Sequence, residues 1–102
     1  MFFIGIDIAK NTHEASIIDS FGKLVSESIS FPNSVKGFEK LKNYISYFDI
    51  DCDNSIIGME ATGHYWLSLY SVLIDFGFNV VVINPIQSDA FRKMYIRQTK
   101  ND

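Results

Sequence analysis

Two carboxylates in this chain each close a short apolar run. Asp7 ends Phe2-Phe3-Ile4-Gly5-Ile6-Asp7, and Glu60 ends Ser55-Ile56-Ile57-Gly58-Met59-Glu60. Runs of this kind read as buried strands. An acid at the carboxyl end of a strand, beside a loop, is where α/β folds collect ligand chemistry. Two such acids on neighbouring strands repel each other unless a proton or a metal cation lies between them. Carboxylate oxygens suit hard divalent cations. In two-metal sites the ions sit about 3.5–4 Å apart, one activating the attacking oxygen and the other steadying the leaving one. That arrangement suits phosphodiester chemistry. Two acids rarely complete such a site, and Asp102 is the candidate third. It follows a basic stretch, Arg92-Lys93…Arg97…Lys100, whose charges are candidates to face a phosphate backbone. Lys10, just after Asp7, is a further candidate beside the site.

Each of these residues has a plainer reading as well. Asp7 can be a buried acid satisfied by backbone N–H groups, and Glu60 can help cap the helix that follows it. A terminal Asp102 can be solvated, and a basic run is more often a solvated helix face than a grip on nucleic acid. His13 and His64 have no partner at metal-ligand spacing and read as surface or loop histidines. Trp66, Tyr70 and Phe76 read as core rather than as a platform for bases. Gly5 and Gly58, inside strands, suggest close approach of another group and not a phosphate loop.

The elements that must position the acids follow from periodicity. Residues 2–8 read as a first strand, 14–19 as a second, and 24–31 as a third that alternates Val25, Glu27, Ile29 and Phe31 against Leu24, Ser26, Ser28 and Ser30. Ser20-Phe21-Gly22-Lys23 is a turn, so these three strands form an antiparallel meander. Ser34 offers a helix cap, and Val35, Phe38, Leu41, Ile45 and Phe48 recur at helical spacing. Gly37 weakens that helix by roughly 1 kcal/mol relative to Ala. Residues 55–60 read as a fourth strand, apolar enough to be central and parallel. A helix carrying Trp66, Leu69, Tyr70 and Leu73 follows and stops at Gly77. Residues 79–84 make a fifth strand. Asn84-Pro85-Ile86-Gln87 then starts a last helix over 86–98. With right-handed crossovers, the sheet order is 3-2-1-4-5, with helices on both faces. Asp7 and Glu60 then lie on adjacent parallel strands at one end of the sheet.

Composition sets the bounds. At 102 residues the chain holds one domain, 47% hydrophobic and with nine Phe and five Tyr for its core. A net charge of −3 argues against a bulk electrostatic hold on nucleic acid, yet four of the nine basic residues fall in the last eleven positions. The single cysteine, Cys52, excludes an internal disulfide and a cysteine-based zinc site and suits a reducing cytosol. Met1 leads straight into a strand without a basic leader, and no apolar run approaches the ~18 residues of a membrane span. The expected location is therefore cytoplasmic. Thr99-Lys100-Asn101-Asp102 carries no helix cap or stop signal, which suggests a piece of a longer protein.

Three segments in order, Phe3-Ile4-Gly5-Ile6-Asp7-Ile8-Ala9-Lys10, Met59-Glu60-Ala61-Thr62-Gly63 and Thr99-Lys100-Asn101-Asp102, resemble the successive signatures of the DEDD-type transposases. These are recombinases of insertion sequences that use a bridge RNA. The resemblance covers essentially all 102 residues. It implies an N-terminal catalytic domain of RuvC-like, RNase H-like fold that cuts and rejoins DNA. In that family four acids bind magnesium, with manganese a possible substitute. Asp7 matches the first, Glu60 the second and Asp102 the third, while the fourth is expected a few residues beyond Asp102. The resemblance also implies a second domain supplying a serine nucleophile, a guide RNA and DNA as partners, and a homo-oligomer. This stretch alone is then expected to be inactive.

Two other readings stay open. The opening Ile4-Gly5-Ile6-Asp7 followed by a meander also resembles the phosphate-binding start of actin-like ATPases and sugar kinases. There a Gly and then a Ser or Thr approach the phosphates, where this chain has Ala9 and Lys10. The third reading is a catalytically silent interaction module of the same fold, indifferent to Asp7→Asn and Glu60→Gln.

Overall fold

A computed structural model of the chain describes residues 1–84. Its order is β1 (Phe2–Asp7), β2 (Thr12–Asp19), β3 (Leu24–Pro32), α1 (Val35–Tyr47), β4 (Ser55–Glu60), α2 (Leu67–Asp75) and β5 (Val80–Ile83). The five strands form one sheet in the order β3-β2-β1-β4-β5, as the crossover argument requires. β1 pairs antiparallel with β2 and parallel with β4, and β5 pairs parallel with β4. The last expected helix, 86–98, lies outside the described residues. No described helix is long and apolar enough to cross a membrane.

Alternation along the strands separates two faces. Ile4 and Ile6 of β1, Ala15 and Ile17 of β2, Phe31 of β3, and Ile57 and Met59 of β4 are buried. They form one cluster with Phe38, Leu41 and Ile45 of α1 and Leu69 and Leu73 of α2. Both described helices therefore cover the same face. The other face presents Gly5 and Gly58 side by side, flanked by the exposed Phe3, Ile18, Val81 and Ile83. A methyl group added to either glycine would meet nothing within 4 Å among the described residues.

Two local features depart from the sequence reading. Strict alternation in β3 is broken by two register shifts: Ala15 pairs with Ile29, Ile17 with Ser26 and Ile18 with Leu24, and each step puts one extra residue on β3. Glu27 is consequently exposed, and its carbonyl accepts the Tyr44 hydroxyl of α1 at 3.0 Å. Val35, expected on the apolar face of α1, is 72% exposed, while Gly37 and Phe38 of the same turn are buried. Residue 49 ends α1 in the left-handed region at φ 58°, an Asp where Gly is commoner.

Helix α1 begins where Ser34, in extended conformation, accepts the Gly37 N–H at 3.2 Å. Gly37 is not merely a weak helix former here. A Cβ at this position would overlap the carbonyl and backbone of Pro32 at the end of β3. Glycine lets the first turn of α1 lie directly against the strand it has just left. Gly37→Ala should accordingly lose about 1–3 kcal/mol by overpacking, which outweighs the ~1 kcal/mol of helix propensity it gains. A urea titration followed by circular dichroism measures this, and a midpoint equal to or above that of the parent would contradict the close-contact argument.

Candidate functional site at the ends of β1 and β4

The register of the central pair decides where the acids go. Ile4 pairs with Ile57, Gly5 with Gly58 and Ile6 with Met59. One step further on each strand stand Asp7 and Glu60, which therefore end adjacent parallel strands at the same end of the sheet. Ile6 and Met59 point into the core, so the next side chain on each strand points to the face that neither described helix covers. Asp7 and Glu60 indeed line one open cleft of about 560 Å³. Asp7 is exposed and Glu60 half-buried.

The cleft contains a third carboxylate that the sequence reading did not single out. Glu14 of β2 is the direct cross-strand partner of Asp7, and it lines the same cleft together with Ser16, Ser28 and Thr62. The Ser28 hydroxyl donates to Glu14 Oε1 at 2.8 Å, which ties the acid toward β3. The signal for Glu14 was present in the sequence. β2 begins at Thr12, not at residue 14, and from there His13, Ala15 and Ile17 alternate inward while Glu14, Ser16 and Ile18 alternate outward. Toward the other end of the sheet the cleft adjoins a smaller apolar groove of about 250 Å³, whose lining includes Phe3, Gly5, Ile18, Ile56 and Gly58.

Lys10 occupies the exposed β1–β2 connection and does not line the cleft. Its carbonyl accepts from Asn33 Nδ2 at 3.3 Å. Asp102, Arg92, Lys93, Arg97 and Lys100 all lie outside the described residues. Among the described residues no three His, Cys, Asp or Glu side chains are gathered closely enough to hold a metal ion by themselves. Among the described residues the side-chain donors in the cleft are carboxylates and hydroxyls, a set that suits Mg²⁺ or Mn²⁺ and does not suit a soft metal.

The histidines divide. His64 is exposed, with its ring 4.5 Å from that of Tyr65. His13, expected at the surface or in a loop, is fully buried, because it takes the first inward position of β2. Cys52 is half-buried, and its thiol reaches the Phe76 carbonyl at 3.4 Å.

Comparison with known proteins completes the picture. The chain is 33% identical over 100 residues to the pilin gene-inverting proteins of Moraxella bovis and Moraxella lacunata, covering 98% of this chain and 30% of theirs. It thus spans under a third of the length of these relatives. In structure it resembles RuvC of T. thermophilus in complex with a Holliday junction substrate, with a TM-score of 0.60 at 12% identity over 85% of this chain and 66% of that one. It also resembles the PPX-GPPA enzyme of Aquifex aeolicus, with a TM-score of 0.52 at 18% identity over 85% of this chain and 37% of that one. Likeness at such low identity is a likeness of fold, here the RNase H-like fold of RuvC. In sequence, residues 4–102 match the transposase family of the IS110 DEDD type, and the chain belongs to that family.

Proposed function

We propose that this chain is the N-terminal catalytic domain of a longer transposase that cuts and rejoins DNA, with Asp7, Glu60 and Asp102 as its magnesium-binding acids. The observation that carries the reading is the shared cleft: two acids remote in sequence line one opening at the ends of adjacent parallel strands. The domain boundaries follow the chain, 1–102, with further acid and nucleophile supplied by sequence beyond it. The setting is the cytoplasm of a cell that carries the element. The DNA rearrangement named for the Moraxella relatives, inversion of a gene segment, is the kind of reaction expected here.

Asp7 and Glu60 would hold the cation from two neighbouring strands, and Asp102 would join them from the chain that follows β5. Held by these acids, a divalent ion would supply charge neutralisation at a scissile phosphate and activation of the attacking oxygen. The residues of the chain do the rest. The sheet fixes both carboxylates on a rigid support, which keeps the cleft in one geometry as DNA arrives. The hydroxyls of Ser16 and Thr62 line the same opening and can donate to phosphate oxygens. Arg92, Lys93, Arg97 and Lys100 would supply positive charge along the DNA backbone, with Lys10 on the exposed β1–β2 connection as a further candidate, and so offset the acidity of the cleft. A guide RNA and a second protomer are the remaining partners this reading calls for.

Two outcomes test it. In the full-length protein, Asp7→Asn or Glu60→Gln should lower strand exchange by more than about 100-fold, the scale on which lost charge stabilisation at a reacting centre is felt. The fold should remain intact by circular dichroism. Recombination at the parent rate by either variant would remove these acids from the chemistry. Calorimetric titration of the 102-residue chain should show only weak Mn²⁺ binding, in the millimolar range, because a magnesium-type site leans on substrate phosphates and waters for its remaining ligands. Tight ATP binding in the same experiment would favour the kinase-like alternative.

A further inference from the structure

Residues 8–11 carry the backbone away from Asp7 and back into β2. Three hydrogen bonds hold this connection. The Ala9 N–H donates to His13 Nδ1 at 3.1 Å. Asn33 Nδ2 donates to the Lys10 carbonyl at 3.3 Å, and the Asn33 N–H donates to the Asn11 carbonyl at 2.9 Å. His13 lies wholly within the core, its ring edge-on to Phe31 with centroids 5.5 Å apart. Because Nδ1 accepts from an amide, the neutral ring carries its proton on Nε2. Nε2 has no hydrogen-bond partner, and the other buried side-chain polar atom in that condition among the described residues is Asn33 Oδ1.

Both orphaned atoms thus belong to the two side chains that hold one loop. Buried polar atoms are ordinarily satisfied, and a leucine at position 13 would fill the site without stranding an N–H in an apolar core. What a leucine lacks is an acceptor for the Ala9 amide. The polar ring is retained in the core at a cost, and the atom it contributes is the one that grips the backbone two residues beyond Asp7.

We propose that His13, assisted by Asn33, is a positioning residue for the reaction. By holding the Ala9 amide from within the core it fixes the peptide units that follow Asp7, and with them the direction in which Asp7 presents its carboxylate to the cleft. Supports of this kind set how well a ligating side chain is oriented. The proposal rests on the metal-binding role proposed above for Asp7 and adds the device that orients it. Asparagine at position 13 tests the point, since its Oδ1 stands close to where Nδ1 stands and can accept the same amide.

The experiment compares His13→Leu, His13→Asn, Asn33→Ala and Glu60→Gln in the full-length protein. It reads strand exchange against Mg²⁺ concentration, and amide hydrogen exchange at residues 8–11. His13→Leu should keep its fold, lose exchange protection at Ala9 and need about ten times more Mg²⁺ for half-maximal rate, the lower end of the usual effect of losing such a support. His13→Asn should retain protection and stay within about threefold of the parent. Asn33→Ala should shift the Mg²⁺ requirement in the same direction by less. A His13→Leu protein with the parent's protection and Mg²⁺ requirement overturns the proposal, provided Glu60→Gln is inactive. If Glu60→Gln is active, the carboxylate site itself has failed and this proposal with it. If His13→Leu does not fold, Asn33→Ala decides: an unchanged Mg²⁺ requirement there overturns the positioning role.

Discussion

The in-phase pairing of β1 with β4 is the constraint on which the site depends. Ile4 with Ile57 and Ile6 with Met59 put four apolar side chains into one core. The residues between and beyond them, Gly5 with Gly58 and then Asp7 with Glu60, are thereby sent to the opposite face. A slip of one residue on either strand would turn its apolar set outward and its acid inward. Each buried side chain of this size contributes about 1.5–3 kcal/mol. Two like charges 4 Å apart repel by about 1 kcal/mol in water and about 4 kcal/mol at an effective dielectric near 20. The core therefore outweighs the repulsion it imposes at the strand ends. The charges do not choose their meeting place; the isoleucines and the methionine choose it for them.

The same asymmetry explains what was legible in the sequence. Strand order, the parallel centre and the convergence of residues 7 and 60 all follow from period-two apolar runs, turn residues and the handedness of crossovers, which are local signals plus one chiral rule. The residues that were misread depend on where a strand starts or what lies beside it. Starting β2 at residue 14 rather than at Thr12 hid the inward place of His13, and the place of Glu14 beside Asp7 comes from the pairing of β1 with β2. The β3 register shifts cannot be seen in the alternation of Val25, Glu27, Ile29 and Phe31, because they are a property of the pairing with β2 and not of the strand alone. Gly37 looked like a defect in a helix until the Pro32 backbone was found against it. Position 102 and the basic stretch before it lie outside the described residues.

Fold by itself does not choose a chemistry. The sheet is shared with RuvC and with an enzyme of the PPX-GPPA kind, so the distinction must lie in how the strand ends are furnished. A loop that cradles phosphates needs its backbone N–H groups pointed outward, toward the ligand. After Asp7 one such group is turned away. The Ala9 amide points inward and is taken by His13, while the Lys10 and Asn11 carbonyls are taken by Asn33. The connection is thus tied to the protein beneath it at one amide and two carbonyls. What it leaves facing the opening is carboxylate, from Asp7, Glu14 and Glu60. An acidic opening of that kind repels a phosphate on its own and accepts one readily only when a cation lies between them. The carboxylates at the strand ends therefore favour a cation-bridged phosphate, and the Ala9 amide, turned inward to His13, is one donor fewer for the kinase-like alternative.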